Sequence, residues 1–379
     1  MGSKRGILEH VVHCIDNIYD GGIICDLFAG TSILSGALGG LVPMHSNDIQ
    51  EYSSVLANTY LSGYNSSENA TGLLDNIEHK FLAYIDEINE TIPNVGFVYS
   101  ENMSIENFVF IEKEQQNLIH QDFSHLPYHL FIKYYSGTYW SFEQCISIDA
   151  LRRVADDYGG TRIYYLILSS LIYAMSYCSQ STGHYAQYRD ANAESSKEDI
   201  LTYRQRNIFG YFRAKFNQLA QYGKQSSLPH KITTLDYRNC LETIEAESLI
   251  YADPPYAFVH YSRFYHALET LVKYDYPNVA HKGRYRSDRH QSPFGQKTQV
   301  KEAFESLFYL TSAKRSNLIL SYSNTGMISL TEIIGIAQST MNGGYDVKHR
   351  EVPHTHSTMG RNDDKNREVK EYLVTITKR

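Results

Sequence analysis

The chain has 379 residues, 42% hydrophobic, 13% aromatic and 20% charged, which suits a globular protein with one sizeable core or two modest ones. Collagen-like, coiled-coil and wholly disordered classes are excluded. Its 35 Lys and Arg against 42 Asp and Glu give a formal charge of −7, which argues against indiscriminate coating of nucleic acid but leaves local basic faces open.

Five scattered cysteines (Cys14, Cys25, Cys145, Cys178, Cys240) show no CxxC or Cys/His spacing, so neither a disulfide framework nor a zinc site is expected, and a reducing cytoplasm fits best. The sixteen histidines, His354 and His356 among them, also lack metal-ligand spacing, so no metal is expected. The N-terminal residues carry no long apolar run, and the most apolar stretch, Ile163 to Met175, is short and interrupted by tyrosines. Neither a signal peptide nor a membrane span is expected.

Taken in chain order, short apolar runs ending in acidic or small polar residues and followed by helical patterns predict a parallel α/β sheet. They are Gly22–Phe28, Val42–Asp48, Ile232–Asp236, Ser248–Asp253 and Asn317–Ser321. Tyr345–Val352 and Val369–Lys378 complete an edge pair with one strand antiparallel, making seven strands around a topological switch point. The gap of roughly 180 residues between the second and third strands exceeds any ordinary crossover, so an insertion is expected at 63–230 between catalytic parts at 1–62 and 231–379.

The insertion has faces of opposite sign: Tyr64–Asp122 holds eleven Asp and Glu against two Lys, whereas Leu201–Lys231 holds six Lys and Arg and no acid. Within it, Arg162–Cys178 reads as a buried helix and Asp190–Asp199 as a polar, mobile loop.

Two segments carry the chemistry. Ile23–Ser32 is a strand ending in Asp26, then Phe28, a glycine at Gly30 where backbone approaches a ligand, and Thr/Ser to start a helix. Asp48 after the second strand suits the two hydroxyls of a ribose, although taken alone it reads better as a helix N-cap. The second segment, Leu249–Tyr256, is a strand ending in Asp253-Pro254-Pro255-Tyr256. Two prolines stop the ladder and stiffen the chain, fixing the Asp253 carboxylate and the Pro254 carbonyl beside an aromatic ring. That cluster suits a planar amino-substituted base, its NH2 donating to both acceptors and its face stacking on Tyr256.

With these motifs the chain resembles the DNA adenine N6-methyltransferases that use S-adenosylmethionine (AdoMet), of the Dam-like group in which the cofactor loop precedes DPPY. The resemblance covers both ends of the chain and implies a Rossmann-like seven-stranded sheet with a large, mainly helical target-recognition insertion. It carries cofactor roles onto Lys4 in Gly2-Ser3-Lys4-Arg5, onto Asp26, Phe28 and Gly30 in DLFAG, and onto Asp48, the pair Asp236-Tyr237, and Asp253. Ser32 stands where the family's FxGxG loop has its second glycine. The middle of the chain is only loosely similar, so no recognition residue is carried over.

The implied activity is site-specific methylation of a flipped adenine in double-stranded DNA, stand-alone or beside a cognate restriction endonuclease, in the cytoplasm. Hydrogen bonds to Asp253 and Pro254 would localise the amino lone pair. DNA contacts are expected from Arg204, Arg206, Arg213 and Lys215, and from Lys282, Arg284, Arg286 and Arg289 in His281–Lys301, which has six Lys and Arg against one acid. The alternatives are cytosine or RNA as substrate and a non-catalytic DNA-binding subunit keeping the fold; a dinucleotide enzyme would need a GxGxxG that is missing after the first strand.

Overall fold

The computed structural model describes residues 6–62, 70–92, 96–100, 102–180, 184–222, 227–256, 261–355 and 368–379. Lys4, with the rest of residues 2–5, and His356 lie outside them. The chain divides into two compact units, one of residues 2–62, 225–262 and 290–379, the other of residues 63–224 and 263–289.

The first unit is built on seven strands: β1 (Ile24–Asp26), β2 (Met44–Asn47), β3 (Lys231–Thr233), β4 (Leu249–Ala252), β5 (Asn317–Ser323), β6 (Tyr345–Thr355) and β7 (Glu368–Lys378). Their spatial order is 3-2-1-4-5-7-6. The neighbours from β3 to β5 pair in parallel, and β7 runs antiparallel to both β5 and β6. All seven predicted strands are present, with the antiparallel edge pair where it was expected.

β1, β2 and β4 are buried throughout because this part of the sheet is covered on both faces. One face packs Leu27, Ile250, Ala252, Leu318 and Leu320 against Phe304, Leu307 and Phe308 of the helix Val300–Ala313. The other packs Ile24, Leu249, Tyr251 and Ile319 against Val11, Cys14 and Ile15 of the helix Leu8–Ile18.

The second unit is helical, with long helices at Ala70–Thr91, Ile105–Asn117, Phe142–Asp156, Arg162–Cys178, Glu194–Arg204 and Ile208–Tyr222. Arg162–Cys178 matches the predicted buried helix residue for residue, with Leu166–Ile172 wholly buried. Asp190–Asp199 does not stay a loop: helix starts at Glu194, where the Ser196 hydroxyl accepts from the Asn192 and Ala193 amides and donates to the Ala193 carbonyl. The helix Phe142–Asp156 starts at a capping box in which Ser141 Oγ accepts from the Gln144 amide at 3.2 Å and Gln144 Oε1 from the Ser141 amide at 2.9 Å.

The core of this unit holds charge. Arg204 Nε and Nη2 donate to the two Glu112 carboxylate oxygens at 3.0 and 2.6 Å, and Nη2 also reaches the Thr138 carbonyl at 2.7 Å. Asp149, fully buried, accepts from the Phe131 and Ile132 amides at 3.0 and 2.9 Å and from the Tyr274 hydroxyl at 2.6 Å. Among the described residues no helix is long and apolar enough to cross a membrane.

Removing one half of a buried ion pair leaves the other charge unmatched where water cannot reach it. Glu112→Gln should therefore cost about 3 kcal/mol of unfolding free energy. Urea denaturation followed by circular dichroism measures this, and a wild-type midpoint would show that the Arg204 charge is compensated elsewhere.

Candidate active site

Parallel strands end on one edge of the sheet, so each βα turn delivers its residues to the same place. On this edge β1 ends at Asp26, β2 is followed by Asp48, β3 leads to Asp236 and β4 is followed by Asp253. The register pairs Asp26 with Tyr251 across β1 and β4, and the Leu27 amide donates to the Tyr251 carbonyl at 2.9 Å. The turns carrying DLFAG and DPPY, over 220 residues apart in sequence, thus leave the sheet from adjacent strands.

The first turn is held by its neighbours. The Ala29 amide donates to the Asn47 carbonyl at 2.9 Å, and the Gly30 amide to Asp48 Oδ2 at 2.8 Å. Gly30 has φ +52°, and a Cβ built there would meet nothing nearer than the Phe28 carbonyl oxygen at 4.0 Å, so the backbone faces open space. Asp48 Oδ1 accepts from the Gln50 amide at 2.9 Å just before the helix Glu51–Leu61, as a capping acid would, while Oδ2 holds the glycine turn.

Ser32 takes a left-handed backbone (φ +54°) and is fully buried, its hydroxyl donating to the Ser53 carbonyl at 3.1 Å. The conformation a second glycine would take freely is kept here by a residue that strains to adopt it.

Phe28 is half-buried among aromatics, its ring centroid 5.5 Å from Phe294 and 6.1 Å from Tyr237, with Tyr237 and Phe294 5.0 Å apart. Tyr237 is buried, donates its hydroxyl to the Ala303 carbonyl at 3.3 Å, and has its phenol pushed up to about 12 by burial. It therefore packs beside Phe28 with its proton held at neutral pH. Asp236 caps its own helix, accepting from the Arg238 amide at 2.9 Å.

In the DPPY turn Asp253 is half-buried, Pro254 buried and Tyr256 half-buried. The Tyr256 ring lies 5.9 Å from Tyr322 at 71°, edge to face. Burial first, then the neighbouring Tyr261, Glu371 and Asp253, raise the Tyr256 phenol well above its usual range, so it stays neutral.

Sequence reasoning missed three contributors. Asn47 uses its whole amide: Nδ2 donates to the Leu27 and Leu235 carbonyls at 3.2 and 3.1 Å, and Oδ1 accepts from Thr233 Oγ1 and the Leu235 amide at 2.7 and 3.1 Å. It ties the ends of β1, β2 and β3 together. Phe294 reaches the site from a short 3-10 turn far along the chain, and buried Glu371 on β7 accepts from Ser321 Oγ at 2.9 Å. An amide ending a buried run was the available signal for Asn47, and an acid opening an apolar strand was the signal for Glu371; Phe294 had none.

The expected DNA-contact residues divide. Arg204 is buried on Glu112; Arg284 is buried, donating to the Tyr134 and Gln116 carbonyls; Arg286 is buried between Asp275 and Asp288, with Asp275 engaged bidentately at 2.6 and 2.7 Å. For these three the expectation of phosphate contact is corrected: Arg204 and Arg284 are engaged by groups remote in sequence, and Arg286 by Asp275 and Asp288 close to it in the chain. Arg206 sits over Tyr203 and donates to the Tyr177 carbonyl, and Lys215 pairs with Gln218 at 2.9 Å. Arg213 is half exposed and 3.7 Å from Glu78, Lys282 pairs with Asp190, and Arg289 lies over Tyr285.

The D12 class N6 adenine-specific DNA methyltransferase family matches residues 1–333, which include both motif turns. The chain belongs to this family. It is similar to the modification methylase StsI of Streptococcus sanguinis, 22% identical over all of this chain and 52% of that protein, and to the type II methyltransferase M.FokI of Planomicrobium okeanokoites, 23% identical over 89% of this chain and 46% of that one. The type II methyltransferase M.NlaIII of Neisseria lactamica is 23% identical over 87% of this chain and 82% of its own length. The chain spans about half the length of the first two. Membership of a methyltransferase family implies AdoMet as methyl donor.

The Ser32 departure from the family loop has a testable energetic signature. Ser32→Gly removes left-handed strain of about 1–2 kcal/mol and loses a hydrogen bond of about 1 kcal/mol, so its stability should stay within about 1 kcal/mol of wild type. Ser32→Ala keeps the strain and loses the bond, and should be the least stable of the three in urea melts; equal stability of Ala and Ser at this position would show that the hydroxyl contributes nothing.

Proposed function

We propose that this chain is a site-specific DNA adenine N6-methyltransferase that transfers the AdoMet methyl group to the 6-amino group of an adenine flipped out of duplex DNA. The observation that carries the reading is the adjacency of the DLFAG and DPPY turns on β1 and β4, joined by the Leu27–Tyr251 hydrogen bond.

The residues present fit the cofactor. Beside Gly30 the loop backbone is open, Phe28 supplies an aromatic wall, and the acids ending β1 and β2 suit a cationic, hydroxyl-bearing ligand. Phe28, Gly30, Asp48, Asp26 and Asp236-Tyr237 would hold it, with Lys4 contributing from outside the described residues. When bound, it supplies an electrophilic methyl group.

The chain's own part is orientation. An adenine 6-amino nitrogen is a weak nucleophile because its lone pair is delocalised into the ring. Asp253 and the Pro254 carbonyl would accept its two hydrogens, localising the lone pair and aiming it. Tyr256, neutral and braced edge-on by Tyr322, would stack on the base and help offset the few kcal/mol that flipping costs. Asp253 need not be a strong base, since the proton is acidic once the nitrogen has become cationic.

Double-stranded DNA is the proposed partner, with the helical unit as the reading surface and a cognate restriction endonuclease as the companion activity. Its exposed cations Arg213 and Lys282 and the partly buried Arg289, Arg206 and Lys215 are the proposed phosphate contacts.

Nucleoside mass spectrometry of unmethylated duplex DNA after incubation with AdoMet tests the reading. N6-methyladenine is the expected product, and Asp253→Ala should lose about 10²–10³-fold or more in rate with unchanged circular dichroism. Methylcytosine would move the substrate, and absence of product despite measurable DNA binding would favour a non-catalytic subunit.

Neutralising Arg213, Lys282 and Arg289 together should weaken DNA binding and lower its log–log salt slope by about 0.9 for each phosphate left unneutralised. An unchanged slope would remove these three residues from the DNA interface. Neutralising Arg286 should instead lower the thermal stability of its unit.

A further inference from the structure

Under the cofactor turn lies a cluster the proposed methyl transfer does not use. Cys25 on β1, His45 on β2 and Cys240 on the helix Tyr237–Thr243 are buried, and their donor atoms all lie within 4.8 Å of one another. Among the described residues these are the one such set of His, Cys, Asp or Glu donors. Cys240 Sγ is 4.0 Å from His45 Nε2, and His45 Nε2 is 2.8 Å from Thr233 Oγ1. Thr233 Oγ1 in turn donates its one proton to Asn47 Oδ1 at 2.7 Å, which leaves its lone pairs on the His45 side.

We propose that Cys25, His45 and Cys240 form a buried zinc site, with the Thr233 hydroxyl as the oxygen donor nearest the fourth position. The size is right. Zinc bonds of about 2.3 Å to sulfur and 2.0–2.1 Å to nitrogen in a tetrahedron put sulfur and nitrogen about 3.6 Å apart and the two sulfurs about 3.8 Å apart. The donor atoms therefore need to close by a fraction of an ångström to about one.

The charge is also right. Zn²⁺ binds two thiolates and one neutral imidazole, two thiol protons leave to solvent, the remaining imidazole proton moves from Nε2 to Nδ1 so that Nε2 ligates, and the assembly is neutral, the form a dry core accepts. A monovalent copper ion on the same ligands would leave one negative charge buried, which favours the divalent ion. The set is soft and nitrogenous, which disfavours magnesium and calcium.

The site would clamp β1, β2 and the Tyr237 helix from below. Cys25 precedes Asp26, His45 lies two residues before Asn47, and Cys240 lies one helical turn beyond Asp236-Tyr237. Metal binding itself does not depend on the methyl-transfer reading.

Anaerobic titration of the reduced wild-type chain with Co²⁺ tests the proposal. One equivalent should produce tetrahedral d–d bands and a thiolate-to-cobalt charge-transfer band, and Zn²⁺ should displace it. Cys25→Ser and Cys240→Ser should each weaken binding by more than the roughly 10–100-fold that loss of an outer-shell partner costs, while Cys14→Ser and Cys178→Ser leave it unchanged. No charge-transfer band in the wild type, or a band indifferent to both Cys25→Ser and Cys240→Ser, would overturn the site. Should these variants fail to fold, X-ray absorption of zinc-loaded wild type decides: two sulfur neighbours at about 2.3 Å are expected, and a shell of oxygen and nitrogen alone overturns it.

Discussion

The candidate site depends on the parallel register of β1 with β2 and β4. Side chains alternate faces along a strand, so a slip of one residue would exchange the core face of β1 for the opposite one and carry DLFAG away from DPPY. Two features pin the register. The Leu27 amide continues the ladder to the Tyr251 carbonyl beyond the last residue of β1, and the Asn47 side chain bonds to backbone on either side of its own strand. Asn47 replaces water at a buried strand end and satisfies both its own polar atoms and those of the Leu235 peptide, the condition under which a buried amide specifies structure rather than costing stability.

The sheet was legible because its signals are local. Each of β1 to β5 is a short run of apolar residues stopped by an acid or a small polar group, and the long gap after β2 announced the insertion. The DPPY turn was legible for the same reason, since four consecutive residues hold both acceptors and the ring. Long-range pairings were not legible. Arg204 and Glu112 are 92 residues apart, and a run of basic residues looks the same in sequence whether its partners are phosphates or distant carboxylates. Cys25, His45 and Cys240 evade any spacing rule because three separate elements bring them together. Segment 263–289 follows DPPY directly, yet it packs with the helical unit, through pairings only the fold reveals.

Those pairings account for several of the buried tyrosines. The Tyr139 hydroxyl donates to the Tyr185 carbonyl and, at 3.1 Å, to Gly283; Tyr285 donates to Ala186; Tyr135 donates to the Arg284 carbonyl at 3.3 Å. His266, buried among these rings with its pKa lowered to about 3 by burial, sits 2.9 Å from the Tyr185 carbonyl. A neutral imidazole must donate there, so segments 185–186 and 283–284 are stitched by side-chain donors to backbone acceptors. Aromatic bodies fill the volume while their hydroxyls satisfy the irregular backbone.

The same accounting sorts the cations by what they are able to bind. Arg204, Arg284 and Arg286 are buried on carboxylates and carbonyls inside the unit; drawing Arg204 to a phosphate would strand the buried Glu112 carboxylate, and drawing Arg286 away would break its bidentate pairing with Asp275. Lys282 with Asp190 and Arg213 with Glu78 keep their charges in water, where such pairs contribute about 0.2–1 kcal/mol and exchange partners at little cost. A chain of net charge −7 can therefore present a basic face without an excess of basic residues. What matters is which cations remain solvated, and burial makes that distinction where a count of Lys and Arg along the sequence cannot.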